Sequence, residues 1–117
     1  MTERRITFTR EQIAEYAEAS GDDNPIHLDD EFARSVELPG LIAHGMLQMG
    51  LLATVAAEAA GGPDRLRRLS VRFAGMVVPG DTVTFRAEPA GDRRLEVSAL
   101  NQKGEAVLTK AMAQYEK

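Results

Sequence analysis

The twenty residues Leu41–Ala60, LIAHGMLQMGLLATVAAEAA, carry a single formal charge, Glu58. As a helix the stretch would extend ~30 Å, enough to cross a bilayer. Its composition argues otherwise, because His44, Gln48 and Thr54 are polar and the many Ala and Gly gain little on transfer into lipid. The better reading is a long helix that starts near His44 and Gly45, is apolar on nearly all sides, and is buried inside a soluble protein. Gly61-Gly62-Pro63 ends it. A helix of this kind needs a layer to cover it, and the rest of the chain must supply that layer.

After Pro63 the apolar period changes to two. Leu69, Val71 and Phe73 alternate with Ser70 and Arg72, and Pro79-Gly80-Asp81 makes a turn. Val83, Phe85 and Ala87 alternate with polar partners, Gly91-Asp92 turns, and Leu95, Val97 and Ala99 alternate again. A last strand runs over Ala106–Tyr115, and Ile6–Phe8 could add an edge strand. The expectation is a set of consecutive hairpins, hence an antiparallel sheet with one wet face. Curling that sheet around the apolar helix gives an α+β, hotdog-like architecture; a helix laid on an open sheet is the alternative.

The chain has 117 residues, enough for one domain over residues 1–117. The size scaling gives ~6,200 Å² of folded surface, too little bulk to enclose a large ligand easily. With no Cys, the chain offers no disulfide, thiolate nucleophile or zinc finger. A net charge of −4 argues against a general nucleic-acid surface, although Arg65, Arg67, Arg68 and Arg72 form a local basic cluster. That cluster reads first as a solvated face, and second as a contact for coenzyme A phosphates or an acidic carrier protein. The start, MTERRITF, shows no secretory signal, so a cytoplasmic protein without a membrane segment is expected.

Before the long helix, Thr9 and Gln12 suggest a capping box, and Phe8 can staple onto Ile13. This first helix should end at Gly21. Pro25 keeps Asn24 extended in the loop Asp22–His27, Asp29 can cap a short second helix, and Leu38-Pro39-Gly40 is a turn.

Asp22, Asn24 and His27 fall within six residues. A carboxylate and an imidazole held together can share one water and move its protons, with Asn24 adding a neutral hydrogen bond. The same residues also make ordinary turn chemistry, in which Asx side chains bond their own backbone. His44 and Gly45 open the long helix, where free N–H groups can hold a carbonyl oxygen; a packed histidine at a plain helix entry is the other reading. Met46 and Met49 suit the core, and an acyl-chain lining is their second possibility. An EF-hand beginning at Asp22 fails because His27 and Ala33 stand at loop positions six and twelve. Zinc lacks a third soft ligand beside His27 and His44.

The strings Tyr16-Ala17, Ser20-Gly21-Asp22-Asp23-Asn24-Pro25-Ile26-His27 and Ile42-Ala43-His44-Gly45-Met46 resemble the MaoC-like, (R)-specific hydratase 2 family of hotdog proteins. The closest resemblance is to (3R)-hydroxyacyl-ACP dehydratase catalytic subunits and (R)-specific enoyl-CoA hydratases, from about Thr7 to the C-terminus. It implies a double hotdog formed by a dimer, as a homodimer or with a second hotdog subunit. Asp22 and His27 would be the acid–base pair, Asn24 would hold the water, and the Gly45 N–H, beside His44, would polarise the thioester carbonyl. Pro25, Ile26, Met46 and Met49 are the candidate acyl-pocket residues. The implied substrate is an acyl thioester of CoA or acyl carrier protein, with no cofactor and no metal. A hotdog thioesterase and a non-catalytic acyl-binding or stabilising subunit are the alternatives. Two departures stand out: few residues precede the first helix, and Ala53 occupies a place where some short-chain hydratases carry Ser.

Overall fold

A computed structural model describes residues 1–116; Lys117, the last residue of the expected domain, lies outside the described residues. In chain order the elements are strand β1 (Thr2–Thr7), helix α1 (Arg10–Ser20), a 3-10 turn (Pro25–His27), helix α2 (Asp30–Ser35), helix α3 (Gly45–Ala60), and strands β2 (Leu66–Phe73), β3 (Thr82–Pro89), β4 (Arg94–Leu100) and β5 (Ala106–Tyr115). The strands form one antiparallel sheet in the order β1-β3-β4-β5-β2, and α3 packs on it in the hotdog arrangement.

The helix ends follow their caps. Thr9 Oγ1 accepts the Gln12 N–H at 3.1 Å, and Gly21 closes α1 in the left-handed region at φ 79°. The reciprocal half of the capping box is missing, since Gln12 Oε1 is buried without a partner. Phe8 and Ile13 are both fully buried in the same core. Asp29 caps α2 by accepting from Glu31 and Phe32, and Gly61 ends α3 at φ 98°. Thr9→Ala removes the only side-chain cap on α1 and should lower stability by about 1 kcal/mol, read as a fall in the midpoint of thermal unfolding.

Strands β3 and β4 show the expected alternation, with Val83, Phe85, Ala87, Leu95, Val97 and Ala99 all turned into the core. Consecutive hairpins join β3, β4 and β5, but β2 and β3 are not a hairpin. β2 pairs with β5 at one edge, while β3 lies next to β1 at the other side of the sheet. The connection between them crosses the start of α3. Val77, fully buried there, accepts the Ala43 N–H at 2.7 Å, and Gly80 and Asp81 exchange bonds with Phe8. This segment spends its backbone groups on other partners and so cannot fold β2 back onto β3. β1 provides the edge strand, longer than the expected Ile6–Phe8.

Curvature comes from β5. Its register against both β2 and β4 gains one residue between Leu108 and Met112, and Lys110 takes φ 49° there. A bulge of this kind sharpens the local twist and bends the strand. The sheet therefore wraps the helix, but not completely. Leu52, Val55, Ala56 and Ala60 are buried, whereas Met46, Gly50, Thr54 and Glu58, spaced by four, form an exposed stripe. The helix is thus not buried on nearly all sides, and Met46, expected in the core, is 60% exposed. Five strands from one chain leave that face uncovered.

Candidate active site

The loop after α1 is turn chemistry with a consequence. Ser20 Oγ accepts the Asp22 N–H at 3.1 Å, Asp22 Oδ1 accepts that of Asn24 at 3.4 Å, and Asn24 Oδ1 accepts that of Ile26 at 3.2 Å. Pro25 then opens the 3-10 turn that carries His27 inward, where it is buried. The His27 Nδ1–H donates to the Ile42 carbonyl at 2.8 Å. A carbonyl only accepts, so the neutral ring keeps its lone pair on Nε2. That atom lies 3.8 Å from Asp22 Oδ2, whose side chain is 54% exposed. The Asx bonds shape the loop, and the shaped loop brings the Asp22 carboxylate to face the His27 imidazole.

His44 does more than stand beside Gly45. Its buried ring stacks on His27, with centroids 3.7 Å apart and planes 22° from parallel, and Tyr16 meets it edge-on at 4.8 Å. Its Nε2–H donates to the Asp22 carbonyl at 2.9 Å. His44 therefore pins the backbone of Asp22 while supporting the face of His27. Sequence spacing gives no sign of this, because the two partners lie 22 and 17 residues away.

The Ile42 carbonyl is itself held. The Ile42 N–H bonds the Ile26 carbonyl at 3.0 Å, and Asp30 Oδ1 accepts the neighbouring Leu41 N–H at 2.9 Å. Arg10 pairs with Asp30 Oδ2 at 2.7 Å. The Leu41 N–H, and after it Arg10, hold the Asp30 carboxyl below its ordinary value of 3.8. A depressed carboxyl contributes stability above its unfolded value and loses it as pH falls through the folded one. Asp30→Asn should therefore lower the unfolding midpoint at neutral pH, and the gap from wild type should close at pH below the folded value of Asp30. Thermal melts across that range check it.

The first turn of α3 opens into a cavity of about 450 Å³ bordered by Asp22, His44, Gly45, Gln48, Phe73 and Met76. His44 provides no side-chain cap, so the leading N–H groups of the helix stay without intrahelical partners. A methyl on Gly45 would meet the Phe73 ring at 3.0 to 3.3 Å. Phe73 reads as core from its strand pattern, yet it is half exposed at the cavity mouth, together with Met46 and Met76. Of the expected acyl-lining residues, Met46 borders this cavity, whereas Pro25, Ile26 and Met49 stand outside its wall. Gln48, a further wall residue, reads in the sequence only as a polar interruption of the apolar run.

Asp22, His27 and His44 bring ligand atoms within 4.8 Å of one another. The arrangement does not suit a metal ion. An imidazole lone pair lies in the ring plane, and an ion bound to two rings sits in both planes about 2 Å from each nitrogen. Rings stacked at 3.7 Å and 22° have planes that do not meet at that distance. Among the described residues no helix is long and apolar enough to cross a membrane. In the basic cluster Arg67 pairs with Glu116 at 3.1 Å.

The sequence model of the family described as "MaoC like domain" matches residues 1–111. Fatty acid synthase subunit beta of Aspergillus oryzae is 45% identical over 73 residues, 61% of this chain and 4% of that protein. The peroxisomal hydratase-dehydrogenase-epimerase of Saccharomyces cerevisiae is 37% identical over 89 residues, 76% of this chain and 9% of that one. The chain thus spans under a tenth of the length of these curated relatives. Among solved structures, an (R)-hydratase from A. caviae involved in PHA biosynthesis superposes with a TM-score of 0.82 at 26% identity, covering 97% of this chain and 91% of that one.

Proposed function

The chain belongs to the MaoC-like domain family, and from that premise we propose that it adds water reversibly across trans-2-enoyl thioesters to give (3R)-3-hydroxyacyl thioesters. The observation that carries this reading is the His27 Nε2 lone pair facing the Asp22 carboxylate at 3.8 Å, beside the open first turn of α3. One water can hydrogen-bond both groups across that gap. The pair takes a proton from the water as its oxygen bonds to C3, and a proton is returned to C2, so the net addition is one water. The Gly45 N–H stabilises the enolate oxygen that develops on the thioester while C2 is negative. The Asn24 amide N–H group, left over from the turn, steadies the water.

The A. caviae (R)-hydratase, matched over nearly the whole of both chains, supports the reaction class and the (3R) product. The substrate is carried on CoA or acyl carrier protein, and a cytoplasmic location suits either. A second hotdog subunit, most simply another copy, completes the walls. The cavity mouth exposes Phe73, Met46 and Met76, and the chain presents 6875 Å² of surface, about a tenth more than the ~6,200 Å² expected for a self-contained monomer of this size. Loss of enoyl-thioester absorbance on adding the protein tests the activity. Thiol release in its place, or no change with either carrier, overturns it. Size-exclusion chromatography of the active protein tests the dimer.

A further inference from the structure

Two buried polar atoms at the site have no hydrogen-bond partner, His44 Nδ1 and Gln48 Oε1. They belong to consecutive turns of one helix face: the Gln48 N–H donates to the His44 carbonyl at 3.3 Å, and both side chains border the same cavity. His44 is 1% exposed and Gln48 3%. Each orphan is costly where it stands, because a buried polar group without a partner loses its hydration for nothing. The tautomer of His44 is settled at its other nitrogen. Nε2 donates to the Asp22 carbonyl, so Nδ1 in the neutral ring is an acceptor and needs a donor.

A carboxamide has the same outline either way round, and hydrogen bonding decides which end faces a neighbour. We propose that Gln48 is a positioning residue that turns its NH₂ group to His44 Nδ1, completing a chain of hydrogen bonds from Gln48 through His44 to the backbone of Asp22. One bond satisfies the histidine and removes the oxygen from its orphaned position. It also locks His44 in the Nε2–H form, the form that can hold the Asp22 carbonyl and keep the stacked face under His27. Gln48 thus acts on the water-binding pair at second hand, through His44. This proposal rests on the hydratase reading for its kinetic consequence, and on the two unpartnered buried atoms of adjacent turns alone for its structural one.

The test replaces Gln48 with Met, which keeps the length and removes both polar atoms, and with Glu, which keeps the shape and at pH 8 removes the donor. The readouts are kcat, KM and the ¹⁵N resonance of His44 Nδ1. In both variants kcat should fall roughly 5- to 10-fold with KM within about twofold, the signature of lost positioning by one neutral hydrogen bond. In Gln48→Met the Nδ1 resonance should move toward that of an unbonded pyridine-type nitrogen, and in Gln48→Glu, whose carboxylate accepts and so draws a proton onto Nδ1, toward that of a protonated one. An unmoved resonance in both folded variants overturns the proposal, as does an unchanged kcat. A wild-type protein inert toward enoyl thioesters, with the resonance still moving in Gln48→Met, overturns the hydratase reading and supports the hydrogen bond. Gln48→Glu carries the test if Gln48→Met does not fold.

Discussion

Asp22→Asn is expected to lower enoyl-thioester turnover about a thousandfold while leaving the fold intact. General acid–base catalysis contributes ~10²- to 10⁴-fold, and an amide cannot accept the proton that the carboxylate takes from water. The substitution is otherwise mild. Asn keeps a side-chain oxygen for the Asn24 N–H, and the Asp22 side chain is already half exposed. His27→Gln should cost a similar factor, since its amide N–H can still reach the Ile42 carbonyl but the basic Nε2 is gone. Steady-state assays beside thermal melts separate the two effects. Retained turnover in Asp22→Asn with an unchanged melt would remove the carboxylate from the mechanism.

Gly45→Ala should cost about a hundredfold in kcat/KM, the scale of removing one oxyanion donor, with little change in stability. The backbone at this position is an ordinary first helical turn, where Ala is at least as favourable as Gly. The nearest atoms to the new methyl all belong to the ring of Phe73, a half-exposed side chain with solvent on one side. What it obstructs is the approach of a thioester oxygen to the helix N–H groups. Comparing Phe73→Leu with Gly45→Ala,Phe73→Leu tells whether the methyl acts on the substrate or on the ring. Recovery of activity in the double variant would assign the loss to Phe73 rather than to the carbonyl's approach.

The loop from Asp22 to His27 was legible because its bonds are local. Asx turns, a proline and a glycine cap act within six residues, and each has a recognisable chemical reason. The role of His44 was hidden for the opposite reason. Its stacking on His27 and its bond to Asp22 exist only after α3 and the loop are brought together, and nothing in the spacing encodes that approach. Met46 suits the core by its spacing and Phe73 falls on the apolar side of its strand pattern, yet both are exposed, because periodicity reports which face of an element is apolar, not whether anything covers that face. Gln48 reads as one polar residue in an apolar run, a position that acquires meaning only from the cavity beside it.

By itself the sequence determined the ends of α1 and α3, through a cap and glycines at positive φ, and the switch to strands through the change of apolar period after Pro63. It also determined the inward faces of β3 and β4, because alternation is a local property of a pleated strand. Tertiary structure alone decided where β2 goes. Its place beside β5 depends on the buried Val77 crossing at the head of α3 and on the bulge at Lys110 that curls the sheet. The same crossing brings Phe73 and Met76 to the cavity that the long helix opens into. Those placements come from long-range contacts that a local pattern does not carry.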